Sequence, residues 1–512
     1  MTADIALDTL EAKGLIKLAT LRPELEYLFR HALVQDAAYG SLLKQERREL
    51  HLHVGEALEQ LYPDRLDELA PVLAMHFVQA GEHARAIDYF VAAGRHAIES
   101  NAIQEAYVAY DQAANLIEQA AAAGEPPSPA ERRRRIEVLV GRAQAGYSFL
   151  SAEMIFDTLE AAVPEAKAVG DLMLEYRVHL LLALGRLQAG ELPTAPGVEP
   201  SLDRIAEIAD AVGDPTMRAV PLALVGLSQV FGGPVREGVA KLEEAVPLLA
   251  ESRDSIGASF ARGGLAIGYA SLGEFAKADA AVKNAREIAE RGDLIAQLDA
   301  LIAESMVRST EGQLDKAVPI AQECVDRAEA TGASACVLAS SWVLGDAFHR
   351  QGRFTEARDV LRRGADVALA VDRRIWRPTL QAWLRTSAEA VGGTPEGDFE
   401  EALAMARSVG NEVGEAGILA KRGEHEAGRG DFDASLADLA TAGAILERLG
   451  LRPSLARLLR GRGEVLRAAG RADEARPVLG RSLALFEELG LEVEANAVRA
   501  AVAVGGTKLA FD

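Results

Sequence analysis

Apolar residues recur along most of this chain at helical spacing, in stripes broken by a glycine and resumed beyond it with an alanine five positions further on. Leu265, Tyr269, Gly273, Phe275, Ala278 and Ala285 form one such unit, and Leu344, Gly345, Phe348, Gly352, Phe354, Ala357 and Leu361 another. Between them Gly312, Leu314 and Ala317 keep the turn, but Glu304 and Arg308 stand where large apolar side chains are expected, so that unit is degenerate on one face. Turn glycines at 233, 273, 312, 352, 397, 430 and 470 are separated by 40, 39, 40, 45, 33 and 40 residues. A period near 40 holds two helices, and the 45-residue step contains Gly392-Gly393-Thr394-Pro395-Glu396, an inserted loop that leaves the register intact. Leu73, Phe77, Gly81, Ala86, Phe90 and Ala93 give a further hairpin upstream, with Asn101, Ala106, Tyr110 and Ala113 marking the next turn and helix. Prolines at 126, 127 and 129, and again at 193, 196 and 200, remove backbone donors and disfavour helix before them, so both stretches read as loops.

A single hairpin cannot bury its apolar stripe; stacking on its neighbours makes a continuous core. At 512 residues and 49% hydrophobic the chain exceeds one compact core, and scarce β-branched clusters favour helix throughout. The expected fold is an all-α, right-handed superhelical solenoid of hairpins resembling tetratricopeptide repeats. Tyr269 and Phe354 are expected in its seams, with hairpins over 51–190, a repeat array over 191–504 and a tail at 505–512.

The formal net charge of −22 repels phosphate backbones and anionic lipid, which argues against nucleic acid as a partner. The run Arg132 to Arg135, between Glu131 and Glu137, reads as the solvated face of a helix start. Cys324 and Cys336 have no CxxC spacing, which points away from disulfides and zinc and toward a reducing cytoplasm. The N-terminus lacks a basic and apolar leader, and the longest apolar stretches, 180–184 and 219–225, fall far below the roughly 20 residues that span a bilayer. No membrane association is expected.

Catalytic chemistry was not legible. His51 and His53 point to different helix faces, His76 and His83 straddle the Gly81 turn, and neither pair resembles HExxH. No GxSxG or GxxxxGK[ST] occurs, and Gly505-Gly506-Thr507-Lys508 lacks the spacing of a phosphate cradle. Adjacent carboxylates such as Glu243-Glu244 and Glu487-Glu488 diverge by about 100° around a helix. The chain is therefore expected to be no enzyme and to hold no metal or cofactor.

Residues 5–50 read differently. Leu7, Leu10, Gly14-Leu15-Ile16, the string Tyr27 to Tyr39, Arg47-Arg48-Glu49-Leu50-His51 and Ala74-Met75-His76-Phe77 resemble the end of the winged helix and the following linker of bacterial signal-transduction P-loop ATPases, of the cyclase-linked or transcription-regulator type. The resemblance implies that 1–50 is a winged-helix remnant with a linker helix, and that the chain corresponds to the tetratricopeptide tail. It also implies that His31, flanked here by Arg30 and Ala32, corresponds to a nucleotide-state sensor. Partners implied are a signalling ATPase or an adenylate or guanylate cyclase on another chain or a longer product.

In tetratricopeptide hairpins the first helix lines the concave groove. Its groove-facing positions fall three, six and about ten residues before the turn glycine. Counting back from Gly352 gives Trp342, Asp346, His349 and Arg350; from Gly470 it gives Arg460, Glu464 and Arg467. An aromatic beside an ion-pairing fork is the composition of an anchor for a protein or peptide partner, with burial of Trp342 in the next seam as the competing reading.

Overall fold

The computed structural model describes residues 3–20, 26–100, 102–121, 127–147, 150–250, 255–290, 294–394 and 396–503. Asn101, Pro126, Pro395 and the tail at 505–512 lie outside them. The chain divides into two compact units, 1–127 and 128–512, which part at the first proline-rich stretch. The second such stretch lies inside the larger unit, where Val198 is buried.

The first unit opens with a helix, Ala3–Ala12, and an antiparallel two-stranded hairpin of Ile16–Thr20 and Glu26–Phe29, a departure from helix throughout. The helices Ala32–Ser41, Lys44–Leu61, Leu66–Ala80, His83–Glu99 and Ile103–Ala121 follow. Around the Gly81 turn, Leu73, Phe77, Ala86, Phe90 and Ala93 are buried as the repeat requires. Helix Ala32–Ser41, by contrast, buries no residue, and Leu33, Leu43 and Leu61 stand in solvent.

The larger unit is an array of antiparallel hairpins in two layers. Its inner layer includes Pro215–Gly232, Ser255–Leu272, Leu294–Thr310, Ser334–Arg350, Arg377–Ala390, Glu412–Gly428, Arg452–Ala468 and Glu492–Ala503. Outer helices such as Phe275–Ala289, Phe354–Ala370 and Ala472–Glu488 return between them. The alanine five residues after the turn glycine is fully or almost fully buried at Ala278, Ala317, Ala357 and Ala475. Seven residues before the glycine a small residue lets the two helices touch: a Cβ on Gly226, Gly423 or Gly463 would meet Leu242, Leu439 or Leu479 at 2.8, 3.0 and 2.5 Å.

Helices end on residues in the left-handed region about every 20 positions, at Gly312, Gly332, Gly352, Gly392, Gly410, Gly430, Gly450, Gly470 and Gly490. The bond from Arg353 N–H to Phe348 O, 2.9 Å, closes the Gly352 turn in the Schellman manner, as Arg471 N–H to Leu466 O, 2.8 Å, does at Gly470. Asp372, φ 46°, fills the place that the series reserves for glycine between 352 and 392. Gly233 departs from the series, with φ −153°.

The degenerate face near residue 305 is held by charge. Glu304 accepts from Arg286 Nε at 2.6 Å, and Arg308 Nη1 lies 2.6 Å from both Asp279 and Glu311. Late helices of the array return to early ones: Arg457 Nη2 donates to Thr310 O at 2.6 Å, Leu489 packs over Gly273, and Glu494 over Gly312. The inner layer thereby closes around an interior space.

Candidate ligand chamber

That space is a cavity of about 1100 Å³ bounded by inner helices from Pro215–Gly232 to Glu492–Ala503. It is slightly larger than the roughly 300–1,000 Å³ of small-ligand pockets. On Ser334–Arg350, positions 342, 346, 349 and 350 fall on one helix face, and all four line the cavity. Arg460 and Glu464 line it as well, 3.6 Å apart. Arg467 is not on the wall; its Nη1 donates to Ala501 O at 2.6 Å, toward the last helix. His31 is exposed at the start of Ala32–Ser41 in the first unit.

The wall carries the chain's three tryptophans. Trp342 lies 6.2 Å from Trp376 and 6.0 Å edge-on from Trp383, and Phe231 lies 5.1 Å from Trp376, each within the range of favourable ring pairs. Trp342 is half-buried: it packs against the core and also lines the cavity. Phe354 is also half-buried: it packs edge-on against the His349 ring at 5.1 Å and lines the cavity, which corrects its expected place inside a seam. Tyr269 is buried, its hydroxyl donating to Glu243 at 2.6 Å.

Charged and polar side chains from several inner helices meet on this wall. Trp383 Nε1 donates to Asp346 Oδ1 at 2.8 Å, and Arg350 Nη1 lies 3.6 Å from Asp346 Oδ2. Lys421, 7% exposed, donates to Glu424 at 2.9 Å and sits 5.3 Å from the Trp383 ring centroid. His349 shares a hydrogen bond of 3.0 Å with Ser387, and His425 one of 2.6 Å with Glu389. Burial tends to raise the Asp346 carboxyl, yet Arg350, Lys421 and the Trp383 N–H hold it below the usual range. Burial, aided by Lys421, pushes His349 down to about 3, so its imidazole is neutral near pH 7.

Trp376, Trp383, Lys421, Arg457 and Glu494 escaped the sequence reading. Glycine counting from two turns reaches only two inner helices, and Arg457 meets Glu494 and Thr310 through the closure of the array, which leaves no local trace. The clustering of such rare tryptophans between 342 and 383 was the available signal.

Elsewhere, His51 Nδ1 pairs with His76 Nδ1 at 3.0 Å and Tyr39 O–H with His51 Nε2 at 2.9 Å, a contact that spacing did not reveal. Among the described residues no group of three or more metal-ligating side chains gathers, and no helix is long and apolar enough to cross a membrane. Both cysteines are buried thiols, and burial pushes Cys324 up to about 12.

Comparison with known proteins agrees with the architecture. Residues 414–488 match the tetratricopeptide repeat family. An uncharacterised protein of Rhizobium meliloti (strain 1021) is 30% identical over 114 residues, a match spanning 22% of this chain and only 11% of that relative. The structure of a Rap protein complexed with competence and sporulation factor superposes on 70% of this chain and 99% of its own, with a TM-score of 0.51 and 13% identity. A signal-transduction ATPase with numerous domains and a tetratricopeptide repeat sensor, from Pyrococcus horikoshii, gives 14% identity over 93% of this chain and 61% of that one, with a TM-score of 0.34. The class is that of all-α helical-repeat solenoids. Residues 414–488 are its tetratricopeptide repeat region.

Proposed function

We propose that this chain is a non-enzymatic protein-interaction scaffold and regulatory arm, which receives a protein or peptide segment inside its repeat array. The observation that carries the reading is the convergence of Trp342, Trp376 and Trp383 with the Asp346, Arg350 and Lys421 charges on the wall of one cavity. Buried aromatic and arginine side chains in a concave site are the composition of binding anchors. The neutral, hydrogen-bonded state of His349 and the raised thiols supply no activated nucleophile, and buried free thiols suit a reducing cytoplasm.

The test is capture of a partner from the native source, repeated with Trp342→Ala and Arg350→Glu. Loss of the partner at unchanged helicity is the expected result. Equal recovery with both variants folded would remove these residues from the site.

A second reading is favoured by the order helix, two-stranded hairpin, helix over residues 3–41, which suits the end of a winged helix. In that reading residues 1–50 are a remnant, His31 belonged to a nucleotide sensor, and the arm senses an effector to bias an ATPase or cyclase on another chain. The apolar surface at Leu33, Leu43 and Leu61 supports a protein partner on that unit. Titration with ATP checks it: this chain alone is expected to show no saturable binding, and binding abolished by His31→Ala would contradict that.

A further inference from the structure

Helix Lys44–Leu61 uses one face to hold the first unit together and leaves another open. On the inner face Gly55 is buried, and a Cβ there would meet the Phe77 ring at 2.9 Å, so helix Leu66–Ala80 lies directly against it. About 120° round the helix, at ~100° per residue, Leu43, Leu50, Val54 and Leu61 form a second apolar stripe, 70, 50, 40 and 69% exposed. Their steps of seven, four and seven residues are those of heptad a and d positions, and Arg47 and Ala57 complete the series. The Arg47 guanidinium turns out of the stripe to lie 5.2 Å from the Tyr39 ring centroid, which leaves its aliphatic stem in the seam. Beside it, His51 shares an apolar cleft with Val72 and Met75, themselves 46 and 54% exposed. An apolar a and d stripe turned to solvent along an 18-residue helix is one half of a coiled-coil contact.

The stripe is also self-complementary. Its positions fall symmetrically about Leu52: Leu50 and Val54 two residues to either side, Arg47 and Ala57 five, Leu43 and Leu61 nine. Two copies laid antiparallel on a two-fold axis at Leu52 therefore set an a position against a d position at every level. Leu50 meets Val54, the Arg47 stem meets the small Ala57, and Leu43 meets Leu61, each pair occurring twice as an isologous contact requires. On one flank Glu46 faces Gln60 and His53 faces His53 of the second copy, and on the other Lys44 faces Leu58, so no lysine, arginine or carboxylate meets its like. A parallel pairing would instead set Arg47 against Arg47 in the seam.

We propose that the first unit carries a dimerisation surface, on which helix Lys44–Leu61 pairs antiparallel with the same helix of a second copy of this chain. A two-fold contact demands the symmetry about Leu52, whereas a helix of a different protein would demand none. The surface belongs to the first unit, so the inference stands or falls independently of the chamber.

The experiment measures the mass of the full chain in solution by sedimentation velocity at micromolar concentrations. Twice the chain mass is expected, with a single chain in Leu50→Glu at unchanged helicity. His53, beside the axis, tests the pairing itself. His53→Glu and His53→Lys each set like charges against one another and should each weaken the dimer severalfold, while an equimolar mixture of the two should associate more tightly than either alone. If Leu50→Glu loses helicity, the His53 pair decides. A monomeric native chain overturns the proposal, as does a dimer that survives Leu50→Glu, and so does a mixture of the His53 variants no tighter than its components. A monomeric native chain whose captured partner is lost on Leu50→Glu would assign the stripe to a helix of another protein, and overturns it equally.

Discussion

His349 shows how much one side chain of the wall contributes. Its ring is hydrogen-bonded to Ser387 and packed on Phe354, and burial keeps it neutral well below the ordinary range. A histidine whose folded pKa is depressed leaves the unfolded chain to bind the proton first. Its contribution is thus harmless above about pH 6.5, and it costs stability as pH falls below that value, at up to about 1.4 kcal/mol per pH unit. Urea unfolding of His349→Gln should therefore lose less stability between pH 6.5 and 4.5 than the native chain does. An unchanged slope would mean that the imidazole is already charged in the fold. Asp346 shifts in the opposite sense, with its charged form favoured by Arg350, Lys421 and Trp383 despite burial, so the two must be separated by substitution.

At the scale of the element, the hairpin rests on a small residue seven positions before the turn glycine. A Cβ at Gly345 would run into the Leu361 side chain, whereas one at Gly480, on an outer helix, meets nothing within 4 Å. The same substitution should then have opposite signs. Gly345→Ala is expected to destabilise by roughly 1–3 kcal/mol through overpacking. Gly480→Ala is expected to stabilise by roughly 0.5–1 kcal/mol through helix propensity. Equal effects in thermal or urea unfolding would mean that the helices do not approach as closely as this packing requires. Much of the element was legible in the sequence because the left-handed turn needs glycine and the close approach needs alanine, which gave Gly273, Gly352 and Gly470 and their alanines. The 20-residue half-period was missed at Asp372, where an aspartate takes the glycine's place, and at Gly332, Gly410 and Gly450, which end outer helices. Phe354 was misplaced for a different reason. An aromatic at helical spacing shows which stripe it joins, not whether that stripe meets a neighbour or the cavity.

At the scale of the whole molecule, the unit 128–512 behaves as an array whose later helices fold back on its earlier ones, and that closure converts a groove into a chamber. Spacing along the chain predicted Trp342, Asp346, His349 and Arg350 on one face, but no periodicity places Arg457 and Glu494 opposite them. The central claim is that the partner enters this chamber, and because all three tryptophans line it, their emission reports occupancy directly. Titrating the full chain with the captured partner, or with the segment of it that binds, should change the tryptophan emission saturably at the binding affinity, and Trp342→Ala should weaken that affinity at least tenfold with helicity retained. A partner that binds with undiminished affinity to Trp342→Ala and leaves the emission of the native chain unchanged would place the interaction elsewhere and contradict the account.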